Sequence, residues 1–385
     1  MRIIGLICIL LVFSFPSLCA AEKTESNLDL KSEAAILLDN DTGAMLFQKN
    51  GYEKMYPASL TKIATAIYAI EKGDLSDNVT VSENAYNTEG TKVYLEIGEQ
   101  VTLEHLLQGM LINSGNDAAV AIAEHIDGSV EQFNKNINSY LKEKVDVHST
   151  NFTNPNGLYD KNHYTTAYDL GIITQYALQN DTFREIFGTK ELKWDGLTWN
   201  TTLVSHHQML NGERPYSEVI GGKTGFVDES KQTLVTAAED NEFSLTAVVL
   251  KGTYKRDVYE DTRQLLDYGF QNYKHDYITS NQLYSYNDTN YQLDSNKEIT
   301  VPLDDGNQEV TSTGMLLIEN NSGDILQSIQ LDEIAKEQKN VNETLAININ
   351  SEGEKSGVSL SFVLLAILIV GSFSWIRWMN VKKRT

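Results

Sequence analysis

Cysteine is almost absent from this chain of 385 residues: only Cys8 and Cys19 occur. Both fall inside a segment with the grammar of a secretory signal, residues 1–21, in which Arg2 precedes the apolar run Ile3 to Phe15 and small residues end at Ala20-Ala21. The exported chain therefore carries no disulfide framework. Positive charge is also scarce, with 31 Lys and Arg against 53 Asp and Glu, a formal net charge of −22 spread along the chain. Nucleic acid is excluded as a partner, and a negatively charged substrate would need a local cluster of cations. The seven histidines, His206-His207 among them, have no carboxylate or cysteine pattern suited to a metal, so no metal or cofactor is expected and a surface loop is their expected place. No internal repeat is visible.

What is present divides the chain. Residues 22–271 mix helical and strand patterns: "AAILLDNDTGAMLFQKN" reads as a hairpin turning at Asp41-Thr42-Gly43, and "VTLEHLLQGMLINSGNDAAVAIAEHI" as two helices interrupted at Asn113 to Asn116. "TTAYDLGIITQYAL" is a further helix, "VIGGKTGFVD", "KQTLVTAAED" and "EFSLTAVVLKG" are consecutive strands, and "VYEDTRQLLDYGF" is a closing helix. Helices followed by an antiparallel run predict an α+β, helix–sheet–helix fold. Residues 272–349, with short alternating segments such as "KEITVPL", "GMLLIE", "ILQSIQL" and "TLAININ", predict a small β domain. Residues 350–357 form a polar linker, and Val358 to Ile376 is an uncharged apolar stretch long enough to span a bilayer. The basic tail 377–385 follows, so the expectation is a single-pass anchor with the remainder of the chain on the outer face of the cell membrane.

The most regular helix pattern opens at "YPASLTK". Leu60, Ile63, Ala64 and Ile67 make a buried stripe, Pro57 disfavours helix at Tyr56, and the helix is expected to start near Ser59. Ser59 and Lys62 then share one face at the helix start. Ser139 and Lys142 have the same spacing but point away from the stripe Phe133, Ile137, Tyr140 and Leu141, and read as solvated. Two further motifs accompany the first: Ser114-Gly115-Asn116 in the polar break, and Lys223-Thr224-Gly225 on a strand. A competing Ser76-Asp77-Asn78 fails on reach. From Ser59 to Lys72 the helix covers about 20 Å, and four more residues return at most about 14 Å.

The chemistry of such a set is serine acyl transfer. Lys62 serves as base to the Ser59 hydroxyl once burial and a neighbouring cation, Lys223, lower its pKa. Ser114 relays a proton to the leaving amine, and Asn116 fixes the lysine and a substrate amide. Lys223 and Thr224 hold a carboxylate, Gly225 lets a substrate backbone pair with the strand, and N–H groups of Ser59 and Phe226 receive the oxyanion. Asp117 is expected to cap the helix that follows.

These three motifs resemble those of the penicillin-binding proteins and serine β-lactamases. The stretches "YPASLTKIATAIYAIEKG", "FTNPNGLYDKNHYTTAYDLGIIT" and "GGKTGF" are most similar to the D-alanyl-D-alanine carboxypeptidases of low molecular mass, over roughly residues 32 to 270. The resemblance implies Ser59 as acylated nucleophile, Lys62 as base, Ser114 and Asn116 as its partners, and Lys223 as carboxylate anchor. It implies peptidoglycan stem peptides ending in D-Ala-D-Ala as substrates, β-lactams as covalent inhibitors, and a Gram-positive envelope as the setting. Val227 and Ser230-Lys231 stand where the family usually has Thr and Ala-Gly. Alternatives are a β-lactamase, a D,D-endopeptidase, and a membrane-tethered sensor without turnover. The first is disfavoured because no glutamate follows Glu143 up to Asp169 to activate a deacylating water.

Overall fold

The computed structural model describes residues 28–304 and 306–334. Ala34–Asp39 (β1) and Met45–Lys49 (β2) form the expected hairpin, turned by Gly43 at φ +78°. Helices follow: Thr61–Lys72 (α1), Leu103–Ile112 (α2), Asn116–Asp127 (α3), Val130–Glu143 (α4) and Ala167–Leu178 (α5). Val219–Val227 (β3), Lys231–Glu239 (β4) and Ser244–Gly252 (β5) complete an antiparallel sheet in the order β2-β1-β5-β4-β3. Lys255–Asn272 (α6) closes the body.

The period of two along each strand sorts side chains between two cores. Ile36, Leu38, Val235, Ala237, Val248 and Leu250 join helices α1 to α5 on one face. Ala35, Leu37, Leu234, Leu245 and Val249 meet Val258, Tyr259, Leu265 and Leu266 of α6 on the other. Because helices cover both faces, β1 is buried at every residue and reads as a continuous apolar run rather than an alternating one. In α4 the stripe Phe133, Ile137, Tyr140 and Leu141 is buried, while Ser139 and Lys142 face solvent. Ser76 is exposed and bonds Asp74, away from Ser59.

After α6 come Tyr273–Ile278 (β6), Lys297–Pro302 (β7), Met315–Glu319 (β8) and Ile325–Gln330 (β9), with a core of Ile278, Tyr291, Ile299, Leu316, Ile318 and Ile329. This β region is joined to the body through buried Asp39 at the end of β1. Asp39 Oδ2 lies 2.6 Å from Thr300 Oγ1, 2.7 Å from His275 Nε2 and 3.0 Å from Thr42 Oγ1. Gln327 Nε2 donates to Thr42 O at 3.0 Å, and Tyr273 OH donates to Leu46 O at 3.1 Å. Asp39, Asp41 and His275 bring their ligand atoms within 4.8 Å of one another. Protein donors already occupy the oxygens of Asp39, so the trio is a joint between strands rather than a cation cage.

The signal at 1–21, the "TLAININ" strand, the linker and the span at 358–376 all lie outside the described residues. No helix among the described residues is long and apolar enough to cross a membrane.

Asp39→Ala would strand several donors in a dry joint. It is expected to lower the unfolding free energy by about 3–5 kcal/mol, measured by urea denaturation, with Asp39→Asn losing less.

Candidate active site

Pro57 already has helical angles, and Ala58–Leu60 form a single 3-10 turn before α1 begins at Thr61. Ala58 sits at φ +49°, a left-handed conformation that an alanine adopts only when its surroundings force it. The turn leaves Ser59 partly exposed, and its side chain makes no cap to the helix. Lys62, one turn on, is fully buried. Its Nζ lies 3.0 Å from Ser59 Oγ, 2.7 Å from Asn116 Oδ1 and 2.7 Å from Asn156 O. Two of these partners only accept, so both directions are fixed as donations by the lysine. In the neutral amine the third direction is a lone pair aimed at Ser59 Oγ.

The second motif arrives as expected from the break before α3. Ser114 is buried at φ +63° and accepts from Lys223 Nζ at 2.9 Å. Asn116 opens α3, gives its Oδ1 to Lys62 and donates Nδ2 to Glu89 O at 2.7 Å. Its backbone N–H bonds Thr91 O at 2.7 Å. The 89–95 segment that supplies these carbonyls is held by Asp117, which accepts from Val93 N at 3.0 Å and Leu95 N at 3.2 Å. Asp117 thus differs from a simple helix cap: it also bonds Ala118 N, but most of its bonding reaches a distant loop. Burial pushes the Asp117 carboxyl up, while those N–H donors pull the other way.

The third motif lies on β3. Lys223 is buried, Thr224 is half-buried, and Phe226 stands exposed at the strand edge. Gly225 is required by contact: a Cβ there would stand 3.0 Å from Ser59 N and 2.4 Å from Thr233 Oγ1. After β3, Ser230 Oγ accepts from Val227 N at 3.1 Å, and Lys231 takes φ +53°. The turn keeps a left-handed residue without a glycine.

Electrostatics follow from dryness. Burial lowers the Lys62 pKa well below its ordinary value, and the charge of Lys223 lowers it further, against a smaller pull from Asp117. Burial alone brings Lys223 down to about 7. Against the acidic background Lys223 is then the local positive charge that an anionic substrate requires, with Lys62 beside it as the neutral amine.

The site differs from the sequence reading at His207. It is not on a surface loop: it is fully buried, with Nδ1 accepting from Leu210 N at 3.3 Å and Nε2 2.8 Å from Thr236 Oγ1. Its ring fills the space beside Gly222, next to Lys223. The run Asn154-Pro155-Asn156-Gly157 reads most simply as a turn, and Asn156 reaches Lys62 there through its backbone carbonyl. Gly157 reads from sequence only as the end of that turn and His163 has no reading of its own, yet a Cβ on Gly157 would lie 1.8 Å from Ala58 O, and His163 Nε2 is 2.8 Å from Thr61 Oγ1.

A serine, a buried lysine 3.0 Å from its hydroxyl and a second buried lysine on a strand edge form the arrangement that serine–lysine acyl transfer requires. A family profile for D-alanyl-D-alanine carboxypeptidase matches residues 21–253. The chain is 36% identical over 280 residues to the D-alanyl-D-alanine carboxypeptidase DacF of Bacillus subtilis, covering 70% of each chain. It is 33% identical to DacA of Haemophilus influenzae over 268 residues, 64% of this chain and 63% of that one. The solved penicillin binding protein 5 of Haemophilus influenzae superposes with a TM-score of 0.67 at 25% identity, over 80% of this chain and 97% of that one. DacD of Francisella tularensis shares the fold, with a TM-score of 0.70 over 80% of this chain and 94% of that one, at 22% identity. The chain belongs to the D-alanyl-D-alanine carboxypeptidase family.

Gly157→Ala would drive a methyl group into Ala58 O at φ +85°. It is expected to cost about 1–3 kcal/mol of stability, measured by thermal denaturation, and to lengthen the Ser59 Oγ to Lys62 Nζ distance in a crystal structure.

Proposed function

We propose that this protein is a serine-type D-Ala-D-Ala carboxypeptidase that removes the terminal D-alanine of peptidoglycan stem peptides and is acylated by β-lactams. The observation that carries the reading is the lodging of the Lys62 amine between Ser59 Oγ, Asn116 Oδ1 and Asn156 O, with Lys223 on Ser114 beside it. Lys62 takes the Ser59 proton, and Ser59 Oγ bonds to the carbonyl carbon of the penultimate D-alanine. The C–N bond to the terminal D-alanine breaks, and its nitrogen receives the proton from Lys62 through Ser114. Water then hydrolyses the ester, returning free Ser59 and the shortened peptide. Ser59 N–H and Phe226 N–H receive the oxyanion. Lys223 and Thr224 hold the terminal carboxylate, with Gly225 at the approach of the peptide backbone. Export through residues 1–21, tethering through 358–376 and a division into catalytic and β domains near 271 belong to the same proposal.

The test is intact mass of the full chain after benzylpenicillin, with release of D-alanine from a D-Ala-D-Ala peptide followed in parallel. A Ser59-dependent adduct with D-alanine release supports the reading, and Ser59→Ala should lose both. An adduct without release would point to a sensor, fast loss of the adduct to a β-lactamase, and no adduct would sink the assignment of Ser59.

The two lysines fix the sign of the pH dependence. Lys62 must be neutral to accept a proton, so kcat/KM should rise with pH as it deprotonates, well below 10.5. It should fall again as Lys223 loses its charge near pH 7. In Lys223→Arg, whose charge persists, the descending limb is expected to disappear from the stopped-flow profile even if the rate is lower throughout.

A further inference from the structure

His163 is none of the site residues named from sequence, yet it is buried with both ring nitrogens engaged. Its Nδ1 accepts from Thr153 N at 3.0 Å, so the ring proton is on Nε2, which is 2.8 Å from Thr61 Oγ1. Thr61 receives that proton's bond, and its own hydroxyl hydrogen goes to Ala58 O at 2.9 Å. The order is therefore fixed in one direction: His163 Nε2–H to Thr61 Oγ1–H to Ala58 O. Burial brings the His163 pKa down to about 3, with the charge of Lys62 adding to the fall and Asp160 opposing it, so the neutral donor persists through the working range. The ring is stacked on Phe152 at 5.0 Å.

The carbonyl at the end of this relay belongs to the same planar peptide as Ser59 N–H. In a trans peptide the C=O and N–H point in opposite directions. Ala58 O accepts from Thr61 on α1, from its hydroxyl at 2.9 Å and from its backbone N–H, while Ser59 N of the same peptide lies between two glycines, 3.0 Å from where a Cβ of Gly225 on β3 would stand and 2.9 Å from one at Gly157. Holding the carbonyl on one side therefore aims the N–H at the strand edge on the other. The hold has something to resist, because Ala58 is kept at φ +49°.

We infer that His163 and Thr61 are positioning residues whose hydrogen-bond relay locks the Ala58–Ser59 peptide and so aims the Ser59 N–H that receives the oxyanion. The inference rests on the carboxypeptidase reading for its kinetic consequence, but not for its structural one.

The experiment uses the full chain with Thr61→Val, Thr61→Ser, His163→Phe, which keeps a ring to stack on Phe152, and the double variant Thr61→Val/His163→Phe. Benzylpenicillin acylation rates, kcat and KM on a D-Ala-D-Ala peptide, thermal midpoints and crystal structures are measured. Losing one oxyanion donor outright costs about 10²–10³ in kcat, so mis-aiming one should cost about 10–100-fold. The expected result is that loss in kcat and in acylation for Thr61→Val and His163→Phe, with KM within about threefold. Thr61→Ser, which keeps the hydroxyl, should recover most of the rate, and the double variant should be no slower than the slower single. The crystal structure of Thr61→Val should show the Ala58–Ser59 peptide rotated. An unchanged kcat in Thr61→Val, losses that multiply in the double variant, or an unmoved peptide plane would overturn the inference. If Thr61→Val does not fold, His163→Phe against the native chain makes the same comparison. A native chain that fails to acylate sinks the carboxypeptidase reading instead, and the peptide-plane comparison then still decides the relay.

Discussion

An amine held in a dry interior is the constraint on which the rest of the site depends. Lys62 is fully buried, so the directions around Nζ are filled by oxygens of the protein, three of them. Each of those oxygens then needs support of its own. Asn116 can offer Oδ1 only because its Nδ2 and backbone N–H are bound to Glu89 O and Thr91 O. That segment stays in place because Asp117 receives Val93 N and Leu95 N. Asn156 O is in reach because Gly157 packs directly on the Ala58 carbonyl. The same dryness that makes Lys62 a usable base therefore dictates the conformations of three separate loops.

Three of the eight non-glycine residues with positive φ among the described residues stand near the same place: Ala58 before Ser59, Ser114 within the second motif, and Lys231 after the turn that follows the third. Such conformations cost about 1–3 kcal/mol each and persist only where the surroundings over-determine them. Here they are held by the Thr61 and His163 relay, by Lys223 on Ser114, and by Ser230 on Val227. The glycines do the complementary work: Gly225 and Gly157 let backbone approach the Ser59 turn where any side chain would collide.

How much of this the sequence discloses depends on how each residue acts. Ser59 with Lys62, Ser114 with Asn116, and Lys223 with Thr224 and Gly225 were legible because their side chains act at short, fixed spacing on elements whose period is plain. Ser76 is excluded from sequence because chain reach is a local quantity, and it bonds Asp74 instead. Asn156 was hidden because its contribution is a backbone carbonyl, which carries no residue signature. His163 and Asp117 act across separations of 102 and 24 residues, on Thr61 and Val93 respectively, and no local pattern encodes that. His207 misled for a related reason: a polar pair between strands looks like a loop until Thr236 and Leu210 are seen to satisfy both ring nitrogens. The hairpin of β1 and β2 was readable, but the use of its last residue, Asp39, as the joint to the β region was not, since Thr300 and Gln327 lie far along the chain.

The turn after β3 separates a change of sequence from a change of shape. A lysine stands where the motif resemblance implies a glycine, which on propensity alone would argue for a displaced strand edge beside Ser59. Lys231 instead adopts φ +53° itself and still pairs with Val227, while Ser230 bonds across the turn. The register from Gly221 to Val227 along β4 is continuous, so Gly225 and Phe226 keep their places against the Ser59 turn. The substitution is absorbed as strain of about 1 kcal/mol or somewhat more in a solvent-facing turn, not as a shift of the groups around the nucleophile. On that argument the departure bears on stability and leaves the geometry of acylation intact, which favours an enzyme over a protein that has kept only the fold.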